Sequence, residues 1–184
     1  YPCFCTRKAI ADEIAAAGHA PHGPEGARYP RRCYGLSVAE REARIAAGEA
    51  YCWRLDMIEA VRQSGALRWH DAALGLQQAR PEDFGDIVLA RKETPTAYHL
   101  AVVVDDAAQG VTLVTRGEDL LRATDVQRLL QALLDLPVPA YHHHRLLTDN
   151  AGRRYAKRDQ SVTLRHLRAA GAAPVSIWQA IGMV

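Results

Sequence analysis

Two amphipathic segments near the start of the chain carry the signals of helix ends. Thr6 is suited to cap a helix over residues 6–18, whose apolar positions recur at helical spacing and which Gly18 would end. Ser37-Val-Ala-Glu40 is a capping box, in which both ends of the motif satisfy free backbone N–H groups. It predicts a second helix that runs to about residue 48.

The pattern becomes strand-like near residue 86. Residues 19–35 are rich in Gly, Pro and His and are expected to form a loop, whereas residues 50–84 lack a clear period and are left mostly unassigned. Apolar and β-branched residues then predict strands at 86–91, 97–104 and 111–115. The second of these is almost continuously apolar, which suggests a strand that is covered on both faces.

The last third of the chain alternates again between helical and extended patterns. Thr124-Asp-Val-Gln127 has the form of a capping box and predicts an amphipathic, leucine-rich helix. A short strand at 144–147 and a turn at 149–152 follow, and two short helices are expected at 162–169 and 174–181. Strands that alternate with helices predict an α/β fold.

Composition narrows the class of protein without naming it. The 184 residues are 48% hydrophobic, as is usual for a globular protein with a core. The 23 basic and 21 acidic residues give a net charge of +2, which neither indicates nor excludes a nucleic-acid partner. No apolar run approaches the length of a membrane span, so no membrane partner is expected. Four cysteines are too sparse for a disulfide scaffold, which indicates a reducing, cytoplasmic compartment. The chain starts with neither a secretory signal nor a methionine, so it is expected to begin inside a larger product.

Three cysteines near the first helix are candidates for a metal site. Cys3 and Cys5 precede the helix, and Cys33 follows the loop that returns after it. Zn²⁺ prefers four ligands in a tetrahedron, with thiolates among the favoured donors. Spacing alone does not separate this site from buried free cysteines, which pack as small apolar residues. The candidates for a fourth ligand are Tyr29, His19, His22 and Cys52, and for Cys52 an inert buried thiol is the favoured interpretation.

Polar side chains mark the ends of the predicted strands. Tyr98 begins the most apolar strand, Asp105 and Asp106 end it, and Arg116 ends the next one. Ligands bind at the carboxyl ends of strands in open α/β sheets, and an arginine fork can hold a carboxylate. Taken singly, Tyr98 is better explained as an ordinary strand aromatic and Asp105 and Asp106 as a solvated turn, because polar residues at strand ends are common.

Two further clusters carry charge or imidazole. A basic segment at 153–158 follows a turn rich in Asp, Asn and Gly, and such a loop could neutralise a triphosphate. On charge alone, a solvated basic face is the favoured interpretation. His142-His-His144 is a local histidine cluster. Because alternate residues of a strand face opposite ways, a structural or nucleotide-contacting role is favoured for it over a metal site.

Together these segments resemble a known catalytic domain. Tyr98-His-Leu-Ala-Val-Val-Val-Asp-Asp106, Gly110-Val-Thr-Leu-Val-Thr-Arg-Gly-Glu-Asp-Leu-Leu121 and Ala123-Thr with Gln127 resemble the second half of the glutamyl-tRNA synthetase catalytic domain. Arg154-Tyr-Ala-Lys157-Arg158 is similar to the lysine-serine signature loop of class I synthetases, although only Lys157 of its pattern is retained.

Three features resemble the glutamyl-queuosine branch of that family. Cys3-x-Cys5 with Tyr29-x₃-Cys33 is similar to the zinc site of the branch, whose fourth ligand is a tyrosine. Asp106-Ala-Ala-Gln-Gly-Val-Thr is similar to its strand-to-strand turn. The chain also stops shortly after the lysine loop, where the full synthetase continues into an anticodon-binding domain.

The resemblance implies a reaction and a set of site residues. The reaction is ATP-dependent activation of glutamate and its transfer to the queuosine base of tRNA(Asp), by a cytoplasmic ligase that is expected to be a monomer. Tyr98 and Arg116 would contact glutamate, and Lys157 would contact ATP and serve catalysis. A structural zinc ion would be held by Cys3, Cys5, Tyr29 and Cys33.

The resemblance also implies how the chain is organised. Residues 1–85 would form a zinc-bearing inserted subdomain that is similar to the acceptor-binding one, and residues 86–184 the second half of a Rossmann-like catalytic domain with C-terminal helices. The family's first half, with its HIGH-type loop, has no counterpart in these 184 residues, so the chain alone is expected not to activate glutamate. The alternatives are a truncated glutamyl-tRNA synthetase that charges tRNA(Glu), and a non-catalytic zinc-bearing remnant.

Overall fold

A computed structural model describes residues 1–16, 22–148 and 163–182 of the chain. It divides into two units, residues 1–143 and residues 144–184. The predicted boundary between residues 85 and 86 falls inside the first unit and, as a division of the family's fold, stays a prediction.

Seven α-helices lie in the described residues. They are α1 (Arg7–Ala16), α2 (Val38–Ala46), α3 (Met57–Ser64), α4 (Tyr98–Ala108), α5 (Ala123–Leu133), α6 (Leu164–Ala169) and α7 (Pro174–Ala180). Short 3₁₀ turns lie at Pro81–Phe84 and at Glu118–Leu120, the second of them shortly before α5. None of the helices in this part of the chain is long and apolar enough to cross a membrane.

Within the described residues, the strands form two sheets and a small ribbon. The strands are β1 (Pro2–Cys3), β2 (His22–Gly23), β3 (Gly26–Ala27), β4 (Cys52–Arg54), β5 (Arg68–Asp71), β6 (Gly75–Gln78), β7 (Val88–Ala90), β8 (Leu113–Gly117) and β9 (Ala140–His144). One sheet has the order β1-β4-β7 and the other β6-β5-β9-β8, while β2 and β3 form the ribbon. Because β5 and β9 run parallel and helices alternate with these strands, the α/β class is confirmed.

Local capping explains the helices that the sequence predicted well. The hydroxyl of Thr6 accepts a hydrogen bond from the backbone N–H of Ala9 at 3.0 Å, at the entry of α1. At α2 both halves of the capping box form, since Ser37 Oγ accepts from the Glu40 N–H at 3.2 Å and the Ser37 N–H donates to Glu40 Oε2 at 2.7 Å. These two helices are confirmed, as are the two short helices α6 and α7.

The predicted strand over residues 97–104 is wrong, because this segment is the helix α4. Its buried residues are His99 and Val103, which lie one helical turn apart, while Val104 is exposed. A strand would instead bury alternate residues. A continuous apolar run does not by itself distinguish a strand from a helix that packs on several neighbours, and the run here extends to the length of a helix.

The predicted cap at Thr124 is also wrong, although the helix that it was expected to open exists. Thr124 lies inside α5, and no side chain caps that helix. The preceding 3₁₀ turn satisfies the first N–H groups instead, since the Thr124 N–H donates to the Leu121 carbonyl at 3.2 Å. The Thr124 hydroxyl is thereby left for contacts inside the protein.

The remaining segments differ from expectation mainly in their positions. The strand expected at 144–147 lies at Ala140–His144, and the expected strands at 86–91 and 111–115 correspond to β7 and β8. The expected loop at 19–35 contains the β2–β3 ribbon. The turn expected at 149–152 lies outside the described residues.

Three apolar clusters hold the first unit together. The largest joins α3, α4 and α5 with the 3₁₀ turn before β7; its buried members are Met57, Ala60, Phe84, Ile87, Val103, Val126, Leu129 and Leu130. A second lies around β1 and β4 and consists of Cys3, Phe4, Tyr29, Cys33 and Cys52. A third consists of Trp69, Ala79 and Tyr141 and lies between β5 and β9. The candidate site residues of the first unit lie beside the second and third clusters.

Candidate functional site

The predicted metal ligands converge at the end of strand β1. Cys3 lies in β1 and pairs in register with Cys52 of β4, so its position is fixed by the sheet. Cys5 follows immediately before α1, and Cys33 returns to the same place after the β2–β3 ribbon. The Phe4 N–H donates to Cys33 Sγ at 3.4 Å, which ties the returning segment to the strand.

The sulfur atoms lie close enough together to contact one metal ion. The Sγ atoms of Cys3, Cys5 and Cys33 all lie within 4.8 Å of one another, and those of Cys5 and Cys33 are 3.4 Å apart. The Tyr29 hydroxyl lies 3.3 Å from Cys3 Sγ and 3.6 Å from Cys5 Sγ. Zinc–sulfur bonds of about 2.3 Å in a tetrahedron separate two sulfur atoms by about 3.8 Å. The donor set therefore fits one zinc ion with only small movements of the side chains.

The surroundings favour a thiolate in this cluster. A hydrogen bond from the Cys52 thiol, assisted by Tyr29 and Arg54 against the opposing effect of burial, lowers the pKa of Cys3. Burial raises the pKa of Cys5 in the same cluster. Metal ligation requires thiolates, so a bound cation would displace the protons that remain.

Two arginines hold the segment that carries Tyr29 and Cys33. The Arg54 guanidinium stacks over the Tyr29 ring at 3.8 Å and donates to the Asp86 carbonyl at 2.7 Å. Arg31 binds the carboxylates of Asp56 at 2.8 Å and Asp86 at 2.9 Å. These contacts hold the Tyr29–Cys33 segment against the sheet. Neither arginine could be predicted to have a role at this site. Arg54 lies in the stretch that was left unassigned and Arg31 in the predicted loop, and no residue spacing points to either of them.

The other fourth-ligand candidates stand differently. Cys52 is buried beside Cys3 but is not among the three cysteines whose sulfur atoms lie mutually within 4.8 Å. His22 lies in the ribbon strand β2 and is exposed. His19 lies outside the described residues.

Tyr98 lies at the first turn of α4, not at the start of a strand. It is 47% exposed and lines a cavity of about 410 Å³ together with Arg54, Arg91 and His99. His99 is buried, and its Nε2 lies 3.1 Å from Glu25 Oε1, a contact that lowers the pKa of Glu25. Arg116 is not among the described residues that line this cavity.

Arg116 lies near the end of β8, as predicted, and its guanidinium is held from one side. Its Nε–H donates to His143 Nε2 at 3.0 Å, and its Nη2 donates to Thr124 Oγ1 at 2.6 Å. Neither bond uses Nη1. Burial raises the pKa of Asp106, and the nearby Arg116 charge opposes that rise. A fork that is fixed on one edge can present its other end to a carboxylate.

The three histidines of the cluster lie on opposite faces of strand β9. His143 is buried, whereas His142 and His144 are exposed. His143 contacts Asp71, a buried residue at the end of β5 that sequence analysis left unassigned. The only sequence signal for Asp71 was the turn-like Asp-Ala-Ala-Leu-Gly segment that it begins.

The predicted lysine loop cannot be compared with these sites. Lys157 and the basic segment at 153–158 lie outside the described residues. Its assignment to ATP therefore stays a prediction.

Comparison with known proteins places the chain in a family. Residues 1–184 match the family described as tRNA synthetases class I (E and Q), catalytic domain. The chain is 46% identical over its full length to a glutamyl-Q tRNA(Asp) synthetase of Rhodobacter capsulatus and covers 66% of it. It is 46% identical to that of Nocardia farcinica, where 96% of the chain covers 53% of the relative. The chain thus spans less than two thirds of the length of these relatives.

A solved structure shows the same fold. The glutamate-tRNA synthetase of Elizabethkingia anophelis superposes with a TM-score of 0.66 at 23% identity, and the match covers 86% of this chain and 32% of that one. The family match over the whole chain is the stronger of the two findings, because identity this low speaks for the fold alone. The chain belongs to the class I tRNA synthetase family for glutamate and glutamine, as a part of its catalytic domain.

Proposed function

We propose that the protein containing this chain activates glutamate with ATP and transfers it to the queuosine base of tRNA(Asp), in the cytoplasm. The main support is the geometry of Arg116. Its guanidinium is fixed by hydrogen bonds from Nε and Nη2, and neither bond uses Nη1. This arrangement suits a carboxylate ligand. The two relatives compared above, named glutamyl-Q tRNA(Asp) synthetases, support the choice of acceptor.

The proposed chemistry relies on position and charge. A carboxylate oxygen of glutamate attacks the α-phosphorus of ATP, pyrophosphate leaves, and glutamyl-adenylate forms. The acyl group then passes to the queuosine base and AMP leaves. The substrate supplies the nucleophile, so the protein needs no covalent intermediate of its own. Arg116 and Tyr98 would bind glutamate, and Lys157 would stabilise the charge that develops as pyrophosphate departs.

Zinc has a structural role in this proposal. Cys3, Cys5, Cys33 and Tyr29 would supply four ligands, and a tetrahedral ion with four protein ligands has no open position for substrate. The mutual proximity of the three sulfur atoms and the phenol oxygen supports this ligand set. Bound zinc would fix the segment from β1 to Cys33.

The proposal is tested with two assays on the full-length protein. Glutamate-dependent exchange of pyrophosphate into ATP tests activation. Transfer of labelled glutamate to tRNA(Asp) with queuosine, to the same tRNA lacking queuosine, and to tRNA(Glu) tests the acceptor. Labelling of only the first tRNA supports the proposal. Labelling of tRNA(Glu) supports the charging enzyme instead, and absence of exchange together with one bound zinc supports a non-catalytic role.

A further inference from the structure

A buried row of hydrogen bonds connects Asp71 to the edge of Arg116. His143 Nδ1 lies 2.7 Å from Asp71 Oδ2, and the His143 backbone N–H donates to the same oxygen at 3.1 Å. On the opposite side of the ring, Arg116 Nε lies 3.0 Å from His143 Nε2. Asp71 and Thr124 are 0% exposed and His143 is 6% exposed, so water does not compete strongly for these contacts.

The donors in this row determine where the imidazole proton lies. Arginine is always protonated and can only donate, so His143 Nε2 must accept from Arg116. The proton of a neutral imidazole then lies on Nδ1 and is donated to the Asp71 carboxylate. The Thr124 hydroxyl oxygen lies 3.3 Å from Nε2 and accepts from Arg116 Nη2, so it does not require a proton on Nε2.

Asp71 is held so that only one arrangement satisfies every group. Its other carboxylate oxygen, Oδ1, accepts from the backbone N–H groups of Ala73 at 2.8 Å and Leu74 at 3.0 Å. All of these partners are donors, which an ionised carboxylate satisfies and an amide cannot. The Tyr141 ring stacks on His143 with centroids 6.0 Å apart, and the Trp69 ring lies edge-on at 5.7 Å, so the imidazole is confined between aromatic neighbours.

We propose that His143 and Asp71 are positioning residues for Arg116. Asp71 fixes the tautomer and the orientation of the His143 ring, and the ring in turn fixes the Nε edge of the guanidinium, so that its Nη1 end is preset for a substrate carboxylate. This inference rests on the proposed role of Arg116 in binding glutamate. Preset groups bind more tightly because less conformational freedom is lost on binding.

Three variants of the full-length protein separate positioning from simple packing. His143→Leu removes the acceptor for Arg116 Nε, whereas His143→Gln can return an amide oxygen to that place. Asp71→Asn keeps the shape of the side chain but places an NH₂ group against the backbone N–H and the Nδ1–H of His143. This repulsion should move the imidazole proton from Nδ1 to Nε2. The same replacement in serine proteases leaves the histidine beside it in the wrong tautomer. His70→Gln, on the exposed face of β5, is the matched control.

The expected result is a change in KM without a comparable change in kcat. His143→Leu and Asp71→Asn should raise the KM for glutamate about tenfold or more, the effect of losing one hydrogen bond to a charged group, with kcat within a fewfold of the parent. His143→Gln should recover most of the loss, and His70→Gln should match the parent. A KM for glutamate within twofold of the parent in a folded His143→Leu protein would overturn the proposal.

A spectroscopic measurement decides the proposal separately from the proposed function. Nitrogen NMR of ¹⁵N-histidine-labelled protein at neutral pH should show His143 with its proton on Nδ1, and the Arg116 Nε–H should exchange slowly in the parent and in His143→Gln but rapidly in His143→Leu. A proton on Nε2, or equal exchange in all three proteins, contradicts positioning even if glutamate is activated. If the spectra are as expected but glutamate is not activated, the proposed function is contradicted. The result then supports only the hydrogen bonds between Asp71, His143 and Arg116.

Discussion

The backbone N–H of Cys33 donates a hydrogen bond of 2.9 Å to the hydroxyl oxygen of Tyr29. This bond turns the phenol oxygen towards the sulfur atoms of Cys3 and Cys5, at 3.3 and 3.6 Å. Burial and the neighbouring Cys3 raise the pKa of Tyr29 in the absence of a cation, and the Cys33 N–H opposes that rise. The phenol oxygen is thereby held beside the two sulfur atoms.

Cys33→Ser is expected to abolish zinc binding. The parent should contain about one zinc per chain, the content of one four-ligand structural site, and the variant well under half of that, measured by elemental analysis after growth with ample zinc. Because metal-binding energy is folding energy in such small sites, residues 1–48 should lose protection against proteolysis in the variant. Cys52→Ser, which changes a thiol outside the group of three, should retain its zinc. A parent protein free of zinc would contradict the ligand set.

Tyr29→Phe is expected to weaken the site without abolishing it. The variant loses the oxygen ligand but keeps the three cysteines, so zinc should be removed by a chelator faster than from the parent and more slowly than from Cys33→Ser. The Cys33 N–H also loses its acceptor, which should lower the free energy of unfolding by about 1–3 kcal/mol. Unfolding in urea measures this loss. Equal resistance to the chelator in parent and variant would remove Tyr29 from the ligand set.

The cysteine cluster could be predicted because its residues are close together in sequence. Cys3, Cys5, Tyr29 and Cys33 lie within the first 33 residues, and a metal needs only their types and spacing. The helices α1 and α2 were equally predictable, because their caps are made by the residues that flank them.

Long-range partners explain what sequence analysis missed. Buried His143 is hydrogen-bonded to Asp71, which lies 72 positions earlier, and no local pattern in the sequence shows that pairing. The segment after Tyr98 is helical because it packs on α5 and on the 3₁₀ turn before β7, which a run of apolar residues does not specify. Thr124 begins a segment with the pattern of a capping box, but it lies inside the helix, and its N–H is hydrogen-bonded to the carbonyl of Leu121 after the preceding 3₁₀ turn.

Arg116→Lys is expected mainly to weaken glutamate binding. Lysine lacks the planar fork, so it cannot bind His143, Thr124 and a carboxylate at the same time. The KM for glutamate should rise about tenfold to a hundredfold, with a smaller change in kcat, since a hydrogen bond to a charged group is lost. Arg62→Lys, whose side chain on α3 is 70% exposed, is the control. A larger effect on the KM for ATP than on that for glutamate would contradict the assignment.

Asp71 should make the stability of the fold fall in acid. Burial alone would raise its pKa, but hydrogen bonds from His143 and from the N–H groups of Ala73 and Leu74 lower the pKa to about 2. A carboxyl group with a lowered folded pKa contributes its full stability above the unfolded pKa of about 4 and loses it as the pH falls towards the folded value. The free energy of unfolding should therefore decline between pH 4 and about pH 2.

The Asp71→Asn variant isolates this contribution from those of other carboxylates. Urea unfolding of parent and variant at several pH values should show a smaller difference in free energy of unfolding at the acid end than at neutral pH. The variant lacks the ionisable group, and the parent has lost its benefit there. A difference between the two proteins that stays constant with pH would show that Asp71 does not stabilise the fold as an ionised group.

Lys157→Ala is expected to slow glutamate activation while leaving glutamate binding nearly unchanged. In the resemblance on which its role rests, Lys157 is the retained lysine of the signature loop, so its charge would meet the phosphates chiefly when pyrophosphate departs. An interaction made mainly in the transition state lowers kcat more than it changes the KM for glutamate. The exchange rate should fall about a hundredfold or more, comparable to the loss of one preorganised electrostatic donor. Lys8→Ala, which removes an equal charge from exposed α1, should leave the rate unchanged, and a rate for Lys157→Ala within a fewfold of the parent would mean that this loop does not serve the transition state.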